Sequence, residues 1–389
     1  MNSLPVKILT AVLTFAIGVA VAGVWLTRWI DPVIDPVALN PPAARLEMVF
    51  VLDTTGSMGG LIEGAKQRIW GIVNEVMQAS DSSVRIGLVA YRDRGDQYVT
   101  QVLPLTEDLD KVYTTLMDYK AAGGGDGPED VRTALAEGLY KAGWSNAAPD
   151  VSQIIFLVGD APPHDDYRDT TDTLTTAAMA VQKGIIVNTI QCGSSVDTTR
   201  AWQAIAQRGN GQYFAIAYNG GVQTISTPYD EELGELASRL GATFLAYGFG
   251  GAADAEARRA EVAASAAAVE GRVMHALPSA KAERALNKVL SKEAYVGDLL
   301  QSIENGSVKL ESVKVADLPA ELQTLDPAER QAEIEKRLAL RRDIRAQIMS
   351  LSKQRDAFVA EERKKSSKKD GFDAVVSKTL KEQMARKKD

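Results

Sequence analysis

The chain has 389 residues, 45% hydrophobic and 24% charged, a soluble globular composition that excludes a disordered chain and a polytopic membrane protein and is too long for one core of usual size. One cysteine, Cys192, excludes an internal disulfide and a four-thiolate zinc site, and two histidines, His164 and His275, exclude a histidine-rich metal cluster. The net charge of −7 is uneven, with −11 in residues 45–248 and +4 in residues 249–389; the acidic middle would repel phosphate backbones, so no nucleic-acid partner is expected for it.

Ile8 to Thr27 is a run of 20 uncharged residues between Lys7 and Arg28, long enough as a helix to cross a bilayer. Residues 1–30 are therefore expected to be a transmembrane anchor or a signal segment. Trp25 and Trp29 favour a retained anchor, which gives a single-pass membrane protein with the bulk of the chain periplasmic or extracellular. Ala20-Val21-Ala22 offers the alternative, secretion after cleavage near Ala22. Residues 31–45 come next as a stiff linker, because Pro32, Pro36, Pro41 and Pro42 forbid helix.

From Leu46 onward short apolar runs alternate with helix-period stretches, the pattern of a Rossmann-like, doubly wound, mostly parallel sheet. Glu47–Leu52 reads as a buried strand, Gly60–Ala79 as a helix and Val84–Tyr91 as a second buried strand. Tyr98–Leu103 suits a sheet edge because Pro104 ends it. Helices are expected at Asp108–Tyr119 and Glu129–Ala142, then strand Gln153–Val158, helix Thr171–Lys183, strand Ile185–Gln191, helix Thr198–Gln207, strand Gln212–Ala217 and helix Asp230–Leu245. Residues 46–248 are expected to fold alone. Residues 249–389 turn to alanine, lysine, arginine and glutamate and read as an α-helical, partly coiled-coil-like region. Within it a heptad frame places Ile334, Arg337, Arg341, Ile344, Ile348, Leu351, Arg355 and Phe358 on one seam. Three arginines there disfavour a parallel dimer and favour packing on a neighbouring helix or partner.

The chemistry gathers at strand ends, where open α/β sheets place their ligands. Asp53-Thr54-Thr55-Gly56-Ser57 closes the first strand and offers a carboxylate and two hydroxyls at alternate positions. Such hard oxygen donors suit Mg²⁺, with Mn²⁺ or Ca²⁺ as alternatives. Asp160 ends IIFLVGD, and Asp126 sits in the glycine loop GGGDGPED. Taken singly, an Asp before a helix is usually an N-cap and a triple glycine a turn; together, three loops bring an aspartate each to one sheet edge. Glu129 and Asp130 read as first-turn acids that favour the helix dipole, His164 as a surface-loop histidine beside Asp165 and Asp166, and Cys192 as a packed thiol.

DTTGSM after an apolar strand, GGGDGPED before a helix and LVGDAPPH closing a later strand resemble the von Willebrand factor A domain, in the bacterial and protist branch related to hemicentin and the alpha-kinase-associated A domains. The resemblance covers about Leu46 to Tyr247. It implies a metal-ion-dependent adhesion site, in which Asp53, Thr55 and Ser57 match the Asp-x-Ser-x-Ser motif and Asp160 matches the later aspartate. Asp126 stands where the wider family has a threonine ligand, a departure shared with that branch. The resemblance further implies a module, not an enzyme, that captures a protein partner through Mg²⁺; the amino-terminal segment would make it membrane-tethered. Three carboxylates on one divalent ion would weaken capture of an acidic partner. The alternative is a Mg²⁺-dependent phosphotransferase or phosphatase with Asp53 as nucleophile, since the same turn resembles the phosphorylation loop of haloacid-dehalogenase-like enzymes. Thr54, however, occupies that family's lysine position.

Overall fold

The computed structural model describes residues 45–79, 83–125, 127–218, 225–274, 277–291, 295, 297–365 and 372–386. Strand β1 (Arg45–Asp53) is apolar on both faces because helices cover both, and it leads into α1 (Gly59–Ala79). Then come β2 (Ser83–Tyr91), β3 (Thr100–Thr106), α2 (Leu109–Asp118), α3 (Val131–Tyr140), β4 (Val151–Gly159), α4 (Thr173–Gln182), β5 (Ile185–Cys192), α5 (Val196–Arg208), β6 (Asn210–Ile216) and α6 (Asp230–Gly241). The sheet order is β3-β2-β1-β4-β5-β6, and only β3 runs antiparallel to its neighbour. This is the Rossmann-like sheet expected. The edge strand β3 continues through Pro104 to Thr106, beyond the expected stop; Pro104 is tolerated at an edge, where no further strand needs its missing N–H.

The chain moves from β1 to one side of the sheet and reaches β4 on the other, so the switch point lies between the carboxyl ends of β1 and β4. Alternate residues of β1 feed two cores. Leu46, Met48, Phe50 and Leu52 join α1 and α2 on one face, where Phe50 stacks on Phe156 at 5.4 Å. Val49 and Val51 join α3, α4 and α5 on the other.

Beyond α6 the described residues form α7 (Ala255–Met274), α8 (Pro278–Leu290), α9 (Leu299–Glu304), α10 (Ala320–Gln323), α11 (Pro327–Lys365) and α12 (Phe372–Arg386). Packing crosses residue 248 repeatedly, and Pro42–Asp389 clusters as one compact unit. Helix α8 lies along α1: Asn74 Nδ2 donates to the Glu283 carbonyl at 2.6 Å, and Gly71 leaves room for the Glu283 carboxylate, which a Cβ there would meet at 2.6 Å. Helix α12 caps the α1 side of the sheet. Val375, Val376 and Leu380 enter the first core, and the buried amides of Asn188 on β5 and Gln383 exchange hydrogen bonds of 3.0 and 2.8 Å.

Helix α11 packs Ile344 and Ile348 against Leu233, Leu236 and Leu240 of α6 and Ala282 and Ala285 of α8. Two of its seam arginines are buried in ion pairs: Arg341 with Asp298 at 2.5 Å and Arg355 with Asp230 at 2.8 Å.

The membrane location expected from the sequence is corrected. No helix among the described residues is long and apolar enough to cross a membrane. The longest, α11 with 39 residues, is dense in lysine, arginine and glutamate, and charge at bilayer depth is costly. The segment Ile8–Thr27, on which the expectation rested, and the linker before Arg45 lie outside the described residues.

Candidate metal centre

Asp53 is the last residue of β1 and is fully buried at the switch point. Its Oδ1 accepts two bonds from Thr55, from the backbone N–H at 2.8 Å and the hydroxyl at 2.6 Å. Its Oδ2 is buried with no hydrogen-bond partner. Ser57 Oγ lies 3.4 Å from Thr55 Oγ1, so the two hydroxyls of the turn stand together. Burial raises the Asp53 carboxyl to a pKa of about 7; the Thr55 bonds oppose this and the Asp160 charge adds to it.

The glycine loop is tied to this turn by backbone bonds. Gly56 N–H donates to the Gly123 carbonyl at 3.1 Å and Ala122 N–H to the Thr54 carbonyl at 3.1 Å. Arg92 clasps both segments, donating to the Thr54 carbonyl at 3.2 Å and the Lys120 carbonyl at 2.7 Å. Gly124 has φ +78°, which favours glycine, and a Cβ there would press on the Thr55 side chain at 3.2 Å and Glu129 Oε1 at 3.1 Å. Asp126 lies outside the described residues.

The structure gives Glu129 a different place from the one its sequence context suggests. Helix α3 starts at Val131 and its N-cap is Asp130, whose carboxylate accepts from Thr133 N–H at 3.0 Å. Glu129 instead bridges to the loop after β4: its N–H donates to the Pro162 carbonyl at 3.0 Å, and its carbonyl accepts from His164 N–H at 3.1 Å. This turns its side chain inward, 3% exposed, with Oε2 buried and unpartnered. Burial first, then the charges of Asp53, Asp93, Asp96 and Asp160, push its pKa up to about 9.

Thr55, Ser57, Gly124, Glu129, Asp160 and Thr198 line one cavity of about 480 Å³. Asp160 follows β4, and its carbonyl accepts from Thr198 Oγ1 at 2.9 Å, which anchors that loop to α5. The structure thus brings Asp53, Thr55, Ser57 and Asp160 to one edge and adds Glu129. Among the described residues no group of three or more histidine, cysteine, aspartate or glutamate side chains is gathered to hold a metal. A cation here would therefore draw on the hydroxyls as well as the carboxylates. The donor set fits a hard divalent ion, since two buried carboxylate oxygens make no hydrogen bond.

His164 is not the surface-loop histidine expected. It is 9% exposed, stacks on Tyr167 at 4.1 Å, and places Nδ1 2.9 Å from Asp166 and Nε2 3.5 Å from Asp93. Tyr167 donates to Asp93 at 2.9 Å and carries Arg94 over its ring at 3.8 Å, so the loop after Asp160 is braced against the β2–β3 turn. Cys192 is buried at the end of β5 and its thiol pKa is pushed up by that burial, as suits a packed thiol.

The von Willebrand factor A domain family model matches residues 47–228. Among curated proteins the chain is 29% identical over 121 residues to the ariadne-like RING finger protein R811 of Acanthamoeba polyphaga mimivirus, covering 31% of this chain and 11% of that one. It is 36% identical over 126 residues to von Willebrand factor A domain-containing protein 7 of Rattus norvegicus, covering 32% and 13%. The match therefore spans about a tenth of the length of these relatives. Among solved structures it is similar to the conserved hypothetical protein BatB from Bacteroides thetaiotaomicron (18% identity, 45% of this chain and 90% of that one, TM-score 0.33). It is also similar to proximal thread matrix protein 1 from the mussel byssus with a zinc-occupied MIDAS motif (11% identity, 46% and 43%, TM-score 0.35). The sequence match and the six-stranded switch-point sheet agree over residues 47–228, the part of the chain that matches the von Willebrand factor A domain.

Proposed function

We propose that the A domain holds a divalent cation, Mg²⁺ with Mn²⁺ or Ca²⁺ as alternatives, and captures a protein partner through it. Asp53, Thr55, Ser57, Asp160 and Glu129 would hold the ion, with Asp126 from the adjoining loop. The observation that carries this reading is the pair of buried oxygens, Asp53 Oδ2 and Glu129 Oε2, that make no hydrogen bond. A buried carboxylate without a partner is costly, and a cation offsets that cost directly. When bound, the ion supplies a coordination position open to an oxygen of the partner. The protein's own groups orient it: Thr55 fixes one oxygen of Asp53, and Arg92 holds the two loops in register.

The enzymatic alternative, phosphotransfer through Asp53, is disfavoured by Thr54, which stands where such enzymes carry a lysine and turns its hydroxyl to the Tyr91 carbonyl at 2.9 Å.

The test is thermal unfolding of the full chain with Mg²⁺, Mn²⁺ or EDTA. An ion at a hundred times its dissociation constant stabilises the native state by about 2.7 kcal/mol, and Asp53→Ala is expected to abolish the gain. A melting temperature indifferent to all three conditions would sink the metal reading.

A further inference from the structure

We infer that the surface around the metal cavity fits a basic segment of its partner, a lysine- or arginine-bearing stretch next to an apolar side chain, and disfavours an acidic one. The inference rests on the metal reading above and names the chemistry of the partner. Charge inside the site comes first. Glu129 and Asp160 line the cavity, Asp53 is buried at the strand end beside it, and the unpartnered Glu129 Oε2 sits on a side chain only 3% exposed. These carboxylates, once ionised, offset the charge of a divalent cation, so a partner carboxylate arriving at the ion gains little attraction.

The rim carries the same sign. Asp197 lines the cavity with its side chain 81% exposed. Asp165 and Asp166, at 96% and 76%, stand on the loop whose backbone bridges to Glu129. Several nearby cations are already engaged within the protein, although Arg168 is exposed on the same loop and its charge reaches Asp166. Arg94 is held by Asp130 and Asp169, Arg92 by two carbonyls, and Arg132 by the carbonyls of Tyr167 and Asp165. Arg200 faces Asp197 at 3.7 Å, but both are open to solvent, where such a pair is worth little. A partner cation would therefore meet the exposed carboxylates of Asp165, Asp166 and Asp197, in competition with Arg132, His164 and Arg200.

The other flank is apolar. Val196, 63% exposed, sits between the cavity residues Ser195 and Asp197, and Tyr218, 54% exposed, lays its ring on the Gly193 backbone, where any Cβ would collide with it. An aromatic and an aliphatic group exposed beside an acidic mouth would receive the apolar neighbour of the partner's cation.

The experiment measures fluorescence anisotropy of two labelled peptides against the full chain in Mg²⁺. One peptide carries lysines flanking a leucine, and the other carries glutamates at the same positions. The lysine peptide is expected to bind about tenfold tighter or more at low salt and to weaken as salt rises. Asp165→Asn with Asp197→Asn is expected to lose most of that preference. Glu361→Gln with Glu362→Gln, the same charge change on distant α11, is expected to keep it. Equal binding of both peptides, tighter binding of the glutamate peptide, or equal loss from both variant pairs would overturn the basic-partner inference. The Mg²⁺-dependent melting shift of the same samples reads the metal site separately: if it persists while the lysine preference is absent, only this inference falls.

Discussion

Asp53 and Glu129 are acids held where a carboxylate is unfavourable, with pKa values raised from 3.8 to about 7 and from 4.5 to about 9. The folded protein therefore keeps protons that the unfolded chain releases above about pH 4, so metal-free stability falls as pH rises towards the folded values. Each pKa unit corresponds to about 1.4 kcal/mol, and because the two groups interact they titrate as a pair. In EDTA the urea midpoint is expected to drop between about pH 5 and pH 9, and to drop less in Asp53→Asn. A midpoint flat across that window would show that the pair is not protonated in the fold. Glu129→Gln carries a second prediction of opposite signs: metal-free stability rises at alkaline pH, while affinity for Mg²⁺ in calorimetry falls by about tenfold or more. Asp53, Thr55, Ser57 and Asp160 were legible in the sequence because a strand end fixes where such residues lie. Glu129 was not, because Pro-Glu-Asp before an apolar run has the form of a helix start, and what turns the side chain inward is a backbone bridge to Pro163, a non-local contact. His164 was misplaced for the same reason: its partner Asp93 comes from another loop.

At the scale of elements, α11 shows how a local pattern can be legible and its meaning hidden. The heptad frame located the buried face, since Ile334, Arg341, Ile344, Ile348 and Arg355 are all buried. The arginines looked disruptive because their acids, Asp298 and Asp230, lie on other elements. Asp298 also caps α9 by accepting from Gln301 N–H at 3.1 Å and takes Leu245 N–H at 2.8 Å, so these contacts hold it in its buried place whatever happens to Arg341. Arg341→Leu is accordingly expected to cost about 3–5 kcal/mol in urea unfolding, with partial recovery when Asp298→Asn is added. Recovery absent in the double variant would place the loss in packing. Helix α12 makes a similar case with apolar groups: Leu380 is fully buried in the first core, and Leu380→Ala is expected to cost about 2–5 kcal/mol. A smaller cost, near that of a surface change, would mean that α12 is detached in solution.

For the whole molecule, the change of composition at residue 249 does not mark a limit of packing. The sheet and its order were legible because strand and helix periods alternate cleanly; the cover of its α1 face was not, because α8 and α12 return to it from far along the chain. Residues 46–248 alone would leave that face open over β5, β6 and α1. The fragment is expected to melt lower than the full chain and to bind a hydrophobic dye, and a peptide of residues 372–386 added in trans should raise its melting point. Equal melting points would show that the returning helices add nothing to the A domain. The amide pair between Asn188 and Gln383 spans 195 residues, and this distance is also a delay. At about 5–20 residues per second of synthesis, roughly 10 to 40 s separate the making of β5 from that of its cover. During that interval the inner face of the sheet near β5 and β6 stays open, and what waits there is partly an amide that water can satisfy. A wholly apolar strand at Asn188 would instead offer the growing chain an adhesive surface for the whole of that time.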